Sequence, residues 1–306
     1  MITVLIATLN GEATLPQTLD SFCGLTAAPG TFKLVAVDNG STDRTRAILE
    51  SYRDRLPLTV MHTPEPGKNR ALNLAMAHLE GDLVLFSDDD VVLPADWLDA
   101  YRQAAAAHPD MDIFCGPIAP LWPYEPPDWI RRNVPMGLIY ALTEAEFPEG
   151  ACTVRLAWGP NFGIRRDLLE AHLPLPENIG PKGKDYPMGS ESFLYPLADA
   201  GHRTCFVPAA RVLHIIRPFQ MEREWPLGRV YRYGRGYCRM AFNKQPRPSR
   251  ELFGRPLWWV RAYLVVKLFA ALSFDEDRRY KLEGKRRFLE GYLYEYRQIA
   301  AELAKA

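Results

Sequence analysis

Residues 83–90 read Leu-Val-Leu-Phe-Ser-Asp-Asp-Asp, a short apolar run followed at once by three carboxylates. An uninterrupted apolar run of this length is typical of a strand that is buried on both faces, as in a parallel sheet. Ligands of such sheets bind beyond the carboxyl ends of the strands. The stretch therefore predicts an α/β fold with a site that begins at Asp88.

The residues before this stretch repeat the alternation of short apolar runs and helical patterns. Strands are predicted at residues 2–8, 34–38 and 58–62, and helices near 15–22, around Ile48 and from Gly67 onward. This alternation predicts βαβ units and a mostly parallel, Rossmann-like sheet flanked by helices. Asp38 ends one of the predicted strands, so we expect it at the same sheet edge as residues 88–90.

The rest of the chain gives a less regular pattern. The predicted elements are an irregular loop at 117–148, a strand at 152–158, a helix at 167–172, a mobile loop at 179–189, a helix at 192–200 and a strand at 204–207. A Pro-rich linker at 245–248 and a charged helix at 278–306 follow. We therefore predict a catalytic domain at 1–244 and a C-terminal helical extension at 245–306.

Composition and charge exclude several classes of protein. Lys and Arg together number 37, as do Asp and Glu, so global charge does not favour nucleic acid as a partner. The five cysteines contain no Cys-x-x-Cys pair, which argues against a zinc site or a disulfide framework. The N-terminus has no basic segment before its first apolar run, so we expect a strand there rather than a signal peptide, and a cytoplasmic protein.

Three consecutive aspartates at a strand end repel one another unless a cation neutralises them. Oxygen ligands with room for phosphate suit Mg²⁺ or Mn²⁺. A solvated turn or a helix N-cap is the alternative interpretation of Asp88, Asp89 and Asp90. His214 is another candidate metal ligand or phosphate contact after a predicted strand, although a lone histidine is also common in a purely structural role.

Six segments, in order, resemble family 2 inverting glycosyltransferases over roughly residues 2–220. They are Ile6-Ala7-Thr8-Leu9-Asn10, residues 37–43, residues 67–73, Ser87-Asp88-Asp89-Asp90-Val91, residues 159–166, and a final part comprising residues 189–191, 200–202, 207–208 and His214. Each motif is loose, but six in the family's order are specific.

This resemblance implies a glycosyltransferase-A fold and a nucleotide-diphosphate sugar donor, usually linked to UDP. It implies that Asp38 holds the base, that Arg70 assists the nucleotide, and that Asp88 and Asp90 form the acidic metal motif, with Asp89 as a substitute for either. The predicted nucleotide-sugar-binding residues are Ala7, Thr8, Leu9, Asn10, Glu12, Asp38, Asn39, Lys68, Arg70, Asp88, Asp89, Asn161 and Arg217. The predicted metal ligands are Asp90, Asp88 and His214.

The reaction needs a carboxylate that deprotonates the acceptor hydroxyl. The family usually carries this base in a Glu-Asp pair, whereas the matching stretch here reads Gly189-Ser190-Glu191-Ser192, apparently one residue shorter. Glu191 is the first candidate for the base and Asp185 the second. A third interpretation is that Glu191 only caps the following helix.

Two other functions compete with glycosyl transfer. A sugar nucleotidylyltransferase would carry a Gly-rich basic loop after the first strand, but Thr8-Leu9-Asn10-Gly11-Glu12 stands there. A non-catalytic nucleotide-sugar-binding module is the other alternative, which the altered segment at 189–191 leaves open. The expected acceptor is a saccharide, a lipid-linked group or another hydroxyl compound, and no nucleic-acid partner is expected.

Residues 257–274 are strongly apolar, yet they contain Arg261 and Lys267. These charges make a membrane-spanning helix costly, by about 2.5–3.5 kcal/mol each near the bilayer centre. Trp258, Trp259 and Tyr263 favour a peripheral contact at the inner face of a membrane. A helix that packs its wide apolar face on the protein explains the same residues.

Overall fold

The computed structural model describes residues 1–143, 146–182, 186–242, 250–252 and 254–304. They form two compact units. The first comprises residues 1–122, 140–177 and 190–216. The second comprises the described parts of 123–139, 178–189 and 217–306. The second unit thus contains residues from both sides of the predicted domain boundary at 244–245, and the boundary itself lies outside the described residues.

All strands of the chain's two sheets belong to the first unit. They are β1 Ile2–Thr8, β2 Phe32–Asp38, β3 Leu58–His62, β4 Leu83–Ser87, β5 Val91–Val92, β6 Ile113–Cys115, β7 Ile118–Leu121, β8 Gly150–Cys152, β9 Asn161–Arg165, β10 Thr204–Phe206 and β11 Val212–Ile215. The large sheet has the order β3-β2-β1-β4-β9-β6-β10-β8. Strands β3, β2, β1 and β4 run parallel, and β9 is antiparallel to both β4 and β6.

The described residues also form helices α1 Leu15–Cys23, α2 Thr45–Ser51, α3 Lys68–Ala75, α4 Trp97–Ala107, α5 Asp128–Asn133, α6 Met136–Tyr140, α7 Arg166–Glu170, α8 Leu194–Asp199, α9 Glu224–Phe242, α10 Leu257–Leu272 and α11 Glu276–Leu303. The strand–helix alternation through α3 matches the sequence pattern. Val4, Leu5 and Ile6 are all fully buried, as expected for a central strand with both faces covered. The predicted α/β class with C-terminal helices is confirmed.

A small second sheet has the order β5-β11-β7. Strand β11 is antiparallel to β5, with His214 opposite Val91, and parallel to β7. The backbone N–H of Ile215 donates to the carbonyl of Asp90 at 2.8 Å. This pairing brings the chain around His214 against the end of the acidic stretch. His214 follows the predicted strand at 204–207, which is observed as β10, and itself lies within β11, a strand that the sequence pattern did not predict.

Two predictions for the middle of the chain are wrong. Residues 117–148 are not wholly irregular, since they include β7, α5 and α6. Strand β7 forms because it pairs with the distant β11, and Pro127 precedes α5, where it does not interrupt the helical hydrogen bonds. Residues 152–158 contain only the end of β8 and then a 3₁₀ turn, Val154–Leu156, capped by the Thr153 side chain.

The second unit is helical where it is regular, and α9, α10 and α11 form most of it. Tyr292 and Tyr296 of α11 form its apolar core with Cys238 of α9. Glu295 has no exposed surface and accepts hydrogen bonds from Arg235 at 2.6 Å and Arg239 at 2.5 Å. None of the helices in the described residues has the length and apolarity needed to cross a membrane.

Candidate active site

Parallel pairing aligns the carboxyl ends of three neighbouring strands. Thr8 of β1 lies opposite Asp38 of β2, and Ile6 lies opposite Ser87 of β4. The segments that follow these strands therefore emerge at one edge of the sheet, where ligands of open α/β sheets bind. The expectation that Asp38 and residues 88–90 share this edge is confirmed.

Lys68, at the start of α3, is the cation nearest to Asp88. Its ammonium group donates a hydrogen bond to the Asp88 carboxylate, and only 15% of the Lys68 side chain is exposed. Burial opposes the charge, but Asp88, with Glu191 and Asp90, outweighs it and raises the pKa of Lys68. Lys68 is therefore held protonated amid several carboxylates.

The other two aspartates make separate contacts. The hydroxyl of Thr8 donates a hydrogen bond to Asp89. Asp90 is buried, and its Oδ1 lies 3.3 Å from Nε2 of His214. Burial lowers the pKa of His214, but the carboxylate of Asp90 outweighs it and the pKa is raised overall. Two of the predicted metal ligands, Asp90 and His214, are thus in contact although they are far apart in sequence.

The orientation of the His214 ring fits metal coordination. Its Nδ1 lies 2.6 Å from the carbonyl of Tyr140, which can only accept a hydrogen bond, so Nδ1 carries a proton. Nε2 faces Asp90, so a neutral ring would have its Nε2 lone pair available for a cation there, and metal-ligating histidines commonly have this type of carbonyl partner. Across the described residues, no group of three or more His, Cys, Asp or Glu side chains is arranged to hold a metal. Asp90 and His214 fit a cation that obtains its other ligands from a diphosphate.

Glu191 lies in the 3₁₀ turn Ser190–Phe193 and is half-buried. Its carboxylate accepts a hydrogen bond from the Ser190 hydroxyl at 3.1 Å. A small depression is lined by Glu191 together with Lys68, Ser87 and Gly159. The structure therefore places this candidate base beside the acidic cluster. Asp185, the second candidate, lies outside the described residues.

Asp38 is almost completely buried. One carboxylate oxygen accepts a hydrogen bond from the backbone N–H of Ser41 at 3.0 Å, and the other lies 3.1 Å from Nδ1 of His62. The neighbouring Asn39 is also buried and accepts from the N–H of Gly67 at 2.8 Å. These contacts fix the loop after β2, and contact of Asp38 and Asn39 with a nucleotide stays a prediction.

Ala7 and Leu9 are half-buried on either side of Thr8, where β1 ends. The loop beyond is held by the segment after β2. Asn10 accepts a hydrogen bond from the N–H of Thr42 at 2.8 Å. Glu12 accepts from the side chain of Arg44 at 2.7 Å, which lowers the pKa of Glu12. The loop after β1 is thus held in place by hydrogen bonds to the segment after β2, and its role in donor binding stays a prediction.

Asn161, at the start of β9, has no exposed surface. Its Nδ2 donates to the carbonyls of Pro117 and Ala210, and its Oδ1 accepts from the side chains of Trp97 and Tyr101. An asparagine amide has two donors and two acceptor positions, and all four are used. We assign Asn161 a structural role, because this geometry does not favour the predicted contact with a donor.

The two predicted arginines occupy different units. In the first unit, Arg70 on α3 pairs with Glu65 and, at 3.1 Å, with Glu177. In the second unit, Arg217 precedes the turn Pro218–Met221 and its guanidinium lies 5.3 Å from the centre of the Phe219 ring. Arg70 is therefore engaged with carboxylates, and phosphate contact by Arg217 stays a prediction.

Two groups of the site did not follow from the sequence reasoning. His62 beside Asp38 could have been found, because it ends β3 at the same sheet edge. The Tyr140 carbonyl that orients His214 had no such signal, since any residue supplies a carbonyl.

A family model described as "Glycosyl transferase family 2" matches residues 3–173, more than half of the chain. The match contains β1, β2, β4, Lys68 and all three aspartates. The chain belongs to glycosyl transferase family 2. This assignment replaces the alternative of a sugar nucleotidylyltransferase, and the glycosyltransferase-A fold is confirmed along with it.

Individual relatives agree with this family assignment. The chain is 29% identical to validoxylamine A glucosyltransferase of Streptomyces hygroscopicus subsp. limoneus, over 57% of this chain and 39% of that protein. It is 36% identical to the poly(ribitol-phosphate) beta-N-acetylglucosaminyltransferase TarS of Staphylococcus aureus, over 28% of this chain and 16% of that protein. These matches span well under half of either relative's length.

Two solved structures share the fold over most of both chains. TarS residues 1–349 of S. aureus with UDP-GlcNAc align with a TM-score of 0.57 and 18% identity, covering 98% of this chain and 92% of that one. The mannosyltransferase PcManGT of Pyrobaculum calidifontis with GDP-Man and Mn²⁺ aligns with a TM-score of 0.60 and 18% identity, covering 96% and 86%.

Proposed function

We propose that this protein transfers a sugar from a nucleotide-diphosphate donor to an acceptor hydroxyl, with inversion at the anomeric carbon. One observation carries the proposal. In a family 2 chain, the strand edge that follows β4 carries Asp88 and Asp90 in contact with Lys68 and His214, and Glu191 lies nearby. Several carboxylates gathered at one strand edge suit a ligand that arrives with a divalent cation.

Asp90 and His214, with Asp88 of the same acidic stretch, would hold the cation, either Mn²⁺ or Mg²⁺. When bound, the cation would supply neutralisation of the diphosphate leaving group. Oδ1 of Asp90 and Nε2 of His214 lie 3.3 Å apart, and no group of three or more His, Cys, Asp or Glu side chains among the described residues is arranged to hold a metal, so we propose that the donor diphosphate completes the coordination. Metal binding is therefore expected to depend on the nucleotide.

Glu191 is the proposed general base. The acceptor oxygen would attack the anomeric carbon and pass its proton to the Glu191 carboxylate while the bond from that carbon to the diphosphate oxygen breaks. Attack from the face opposite to the leaving group gives inversion. Lys68 supports this role, because its charge beside Asp88 offsets part of the negative potential around Glu191.

We propose UDP as the nucleotide and a saccharide or lipid-linked hydroxyl as the acceptor. The uracil preference is implied by the family resemblance and is supported by the UDP-GlcNAc complex of TarS. The GDP-Man complex of PcManGT makes guanine the competing base. Asp38 at the end of β2 is the proposed base contact.

A binding screen followed by turnover tests this function. Thermal shift with UDP- and GDP-sugars, each with and without Mn²⁺, should show stabilisation by one UDP-sugar only when the metal is present, since a ligand of the native state raises the melting temperature. The identified donor should then release free UDP with a suitable acceptor. Metal-dependent binding with no UDP release against a broad acceptor panel would instead identify a non-catalytic binding module.

A further inference from the structure

Helix α10 presents a continuous apolar surface that nothing in the described residues covers. Its exposed fractions are 60% at Trp258, 56% at Leu264, 51% at Val265, 58% at Leu268, 50% at Phe269 and 62% at Leu272. The opposite side packs within the second unit, where Trp259 stacks on Tyr292 of α11 with ring centres 4.0 Å apart. Contiguous apolar surface of this extent marks an interaction site.

The charges on this surface have one sign. Positions 258, 261, 265, 268 and 272 recur at helical spacing and form one stripe, so Arg261 lies within the stripe toward its Trp258 end, and Lys267 is also exposed. Helix α10 contains no Asp or Glu. A basic residue within an apolar face is typical of helices that lie in a lipid interface, because its long aliphatic stem buries while the charged end reaches the headgroups.

The length of α10 excludes a spanning position. Sixteen residues give a helix of about 24 Å at 1.5 Å per residue, which is shorter than a hydrocarbon core of about 30 Å. An orientation in the plane of the interface buries the whole stripe and leaves α11 on the protein side. Trp258 at one end of the helix suits the headgroup level, where tryptophan is enriched.

A second copy of the chain is a poorer occupant. A two-fold interface uses the same patch on both subunits, so it would bury Arg261 of both copies between two stripes that contain no Asp or Glu. An anionic bilayer instead offers phosphates to Arg261. The bilayer also offers phosphates to a cavity of about 710 Å³ beside the apolar face of α10, whose lining includes Arg255 and Leu264. Nε of Arg255 is buried and has no hydrogen-bond partner among the described residues.

We propose that α10 docks this protein on an anionic lipid bilayer. The stripe from Trp258 to Leu272 inserts at the boundary between headgroups and acyl chains, and Arg261 and Arg255 contact the lipid phosphates. The proposal concerns a surface apart from the acidic cluster and does not depend on the transferase reaction.

Flotation of the full-length protein with vesicles tests the proposal. Wild type should float with phosphatidylcholine vesicles that contain phosphatidylglycerol, and less with phosphatidylcholine alone. Leu268→Asp should lower this partitioning about tenfold or more, because it removes one inserted leucine and adds a charge. Arg261→Glu should lower the preference for anionic vesicles roughly fivefold or more, because a basic residue at the lipid surface is replaced by an acidic one.

Leu303→Asp is the matched control, because Leu303 is also an exposed leucine on a helix of the second unit, at 52%. It should float like wild type. Equal loss in both leucine variants, or no flotation of wild type at low salt, would overturn the proposal. So would sedimentation as a dimer without lipid that Leu268→Asp converts to a monomer, because the face would then serve self-association.

Discussion

The protein contains two clusters of charged residues that differ in how their carboxylates are arranged. In the second unit, Glu295 is fully buried between Arg235 and Arg239, and Arg239 also pairs with Glu302 at 2.9 Å. In the first unit, three consecutive aspartates share one strand end, where Asp88 pairs with Lys68 and Asp90 lies 3.3 Å from His214. Each carboxylate of the second unit's cluster has an arginine partner, whereas the concentrated carboxylates of the first unit suit the proposed divalent cation.

This difference separates a structural ion-pair cluster from a candidate active site. Breaking a buried, balanced pair leaves an uncompensated charge and costs about 3–5 kcal/mol. Removing one carboxylate from a group of neighbouring carboxylates instead relieves the repulsion among their negative charges. Substitutions in the two clusters should therefore affect different properties, stability in one and activity in the other.

The largest effect is expected for Asp90→Ala. Transfer should fall by about 10³-fold or more, because the proposed cation that neutralises the leaving group loses a ligand. Asp90 is also buried beside His214, so the melting temperature without ligand should fall by roughly 2–4 °C while the variant stays folded. Turnover and thermal shift, with and without Mn²⁺, measure both quantities.

The control for Asp90 is Asp99→Ala, which removes a carboxylate on α4 that pairs with Arg102 and should leave both measurements unchanged. Near-normal turnover of Asp90→Ala with Mn²⁺ would show that the metal assignment is wrong.

Glu191→Gln should have the next largest effect. Its kcat should fall roughly 10²–10⁴-fold, the usual contribution of a general base, while donor binding remains as in wild type. Glu170→Gln, on the surface of α7, provides the same chemical change away from the cluster. If the rate of Glu191→Gln equals that of the control, the base is Asp185 or another residue.

Glu295→Gln should act on stability alone. It leaves Arg235 and Arg239 without their shared carboxylate, so the free energy of unfolding should drop by about 3–5 kcal/mol. Glu302→Gln removes a partner of the same Arg239, but Glu302 is 58% exposed, so its effect should stay below about 1 kcal/mol. Denaturant unfolding compares the two variants. Equal losses would show that burial does not distinguish these pairs.

Local patterns were sufficient to predict the first part of the fold. The runs that become β1, β2, β3 and β4 are mostly apolar and end in polar residues, and burial of the central strands on both faces favours such runs. Parallel pairing then aligns strand ends without further information. Asp38 and the aspartates could therefore be assigned to one edge from sequence.

The remaining features depend on contacts between distant segments. Strands β7 and β11 are only four residues each and are stabilised by pairing with one another, which no local window shows. The environment of Asn161 was missed for a similar reason. Its four partners come from three other segments, so a residue in a family motif proved to be a fully bonded core side chain.

The antiparallel pairing of β5 with β11 also has a consequence for how the protein folds. Asp90 and His214 are more than 120 residues apart in sequence, and closing so long a loop is a slow, non-local step. A nascent chain that has not reached β11 already carries every aspartate of the cluster but lacks the imidazole. Affinity for a metal–nucleotide complex would thus appear only once this contact has formed. The time at which this affinity appears during refolding would therefore report when the first unit has finished folding.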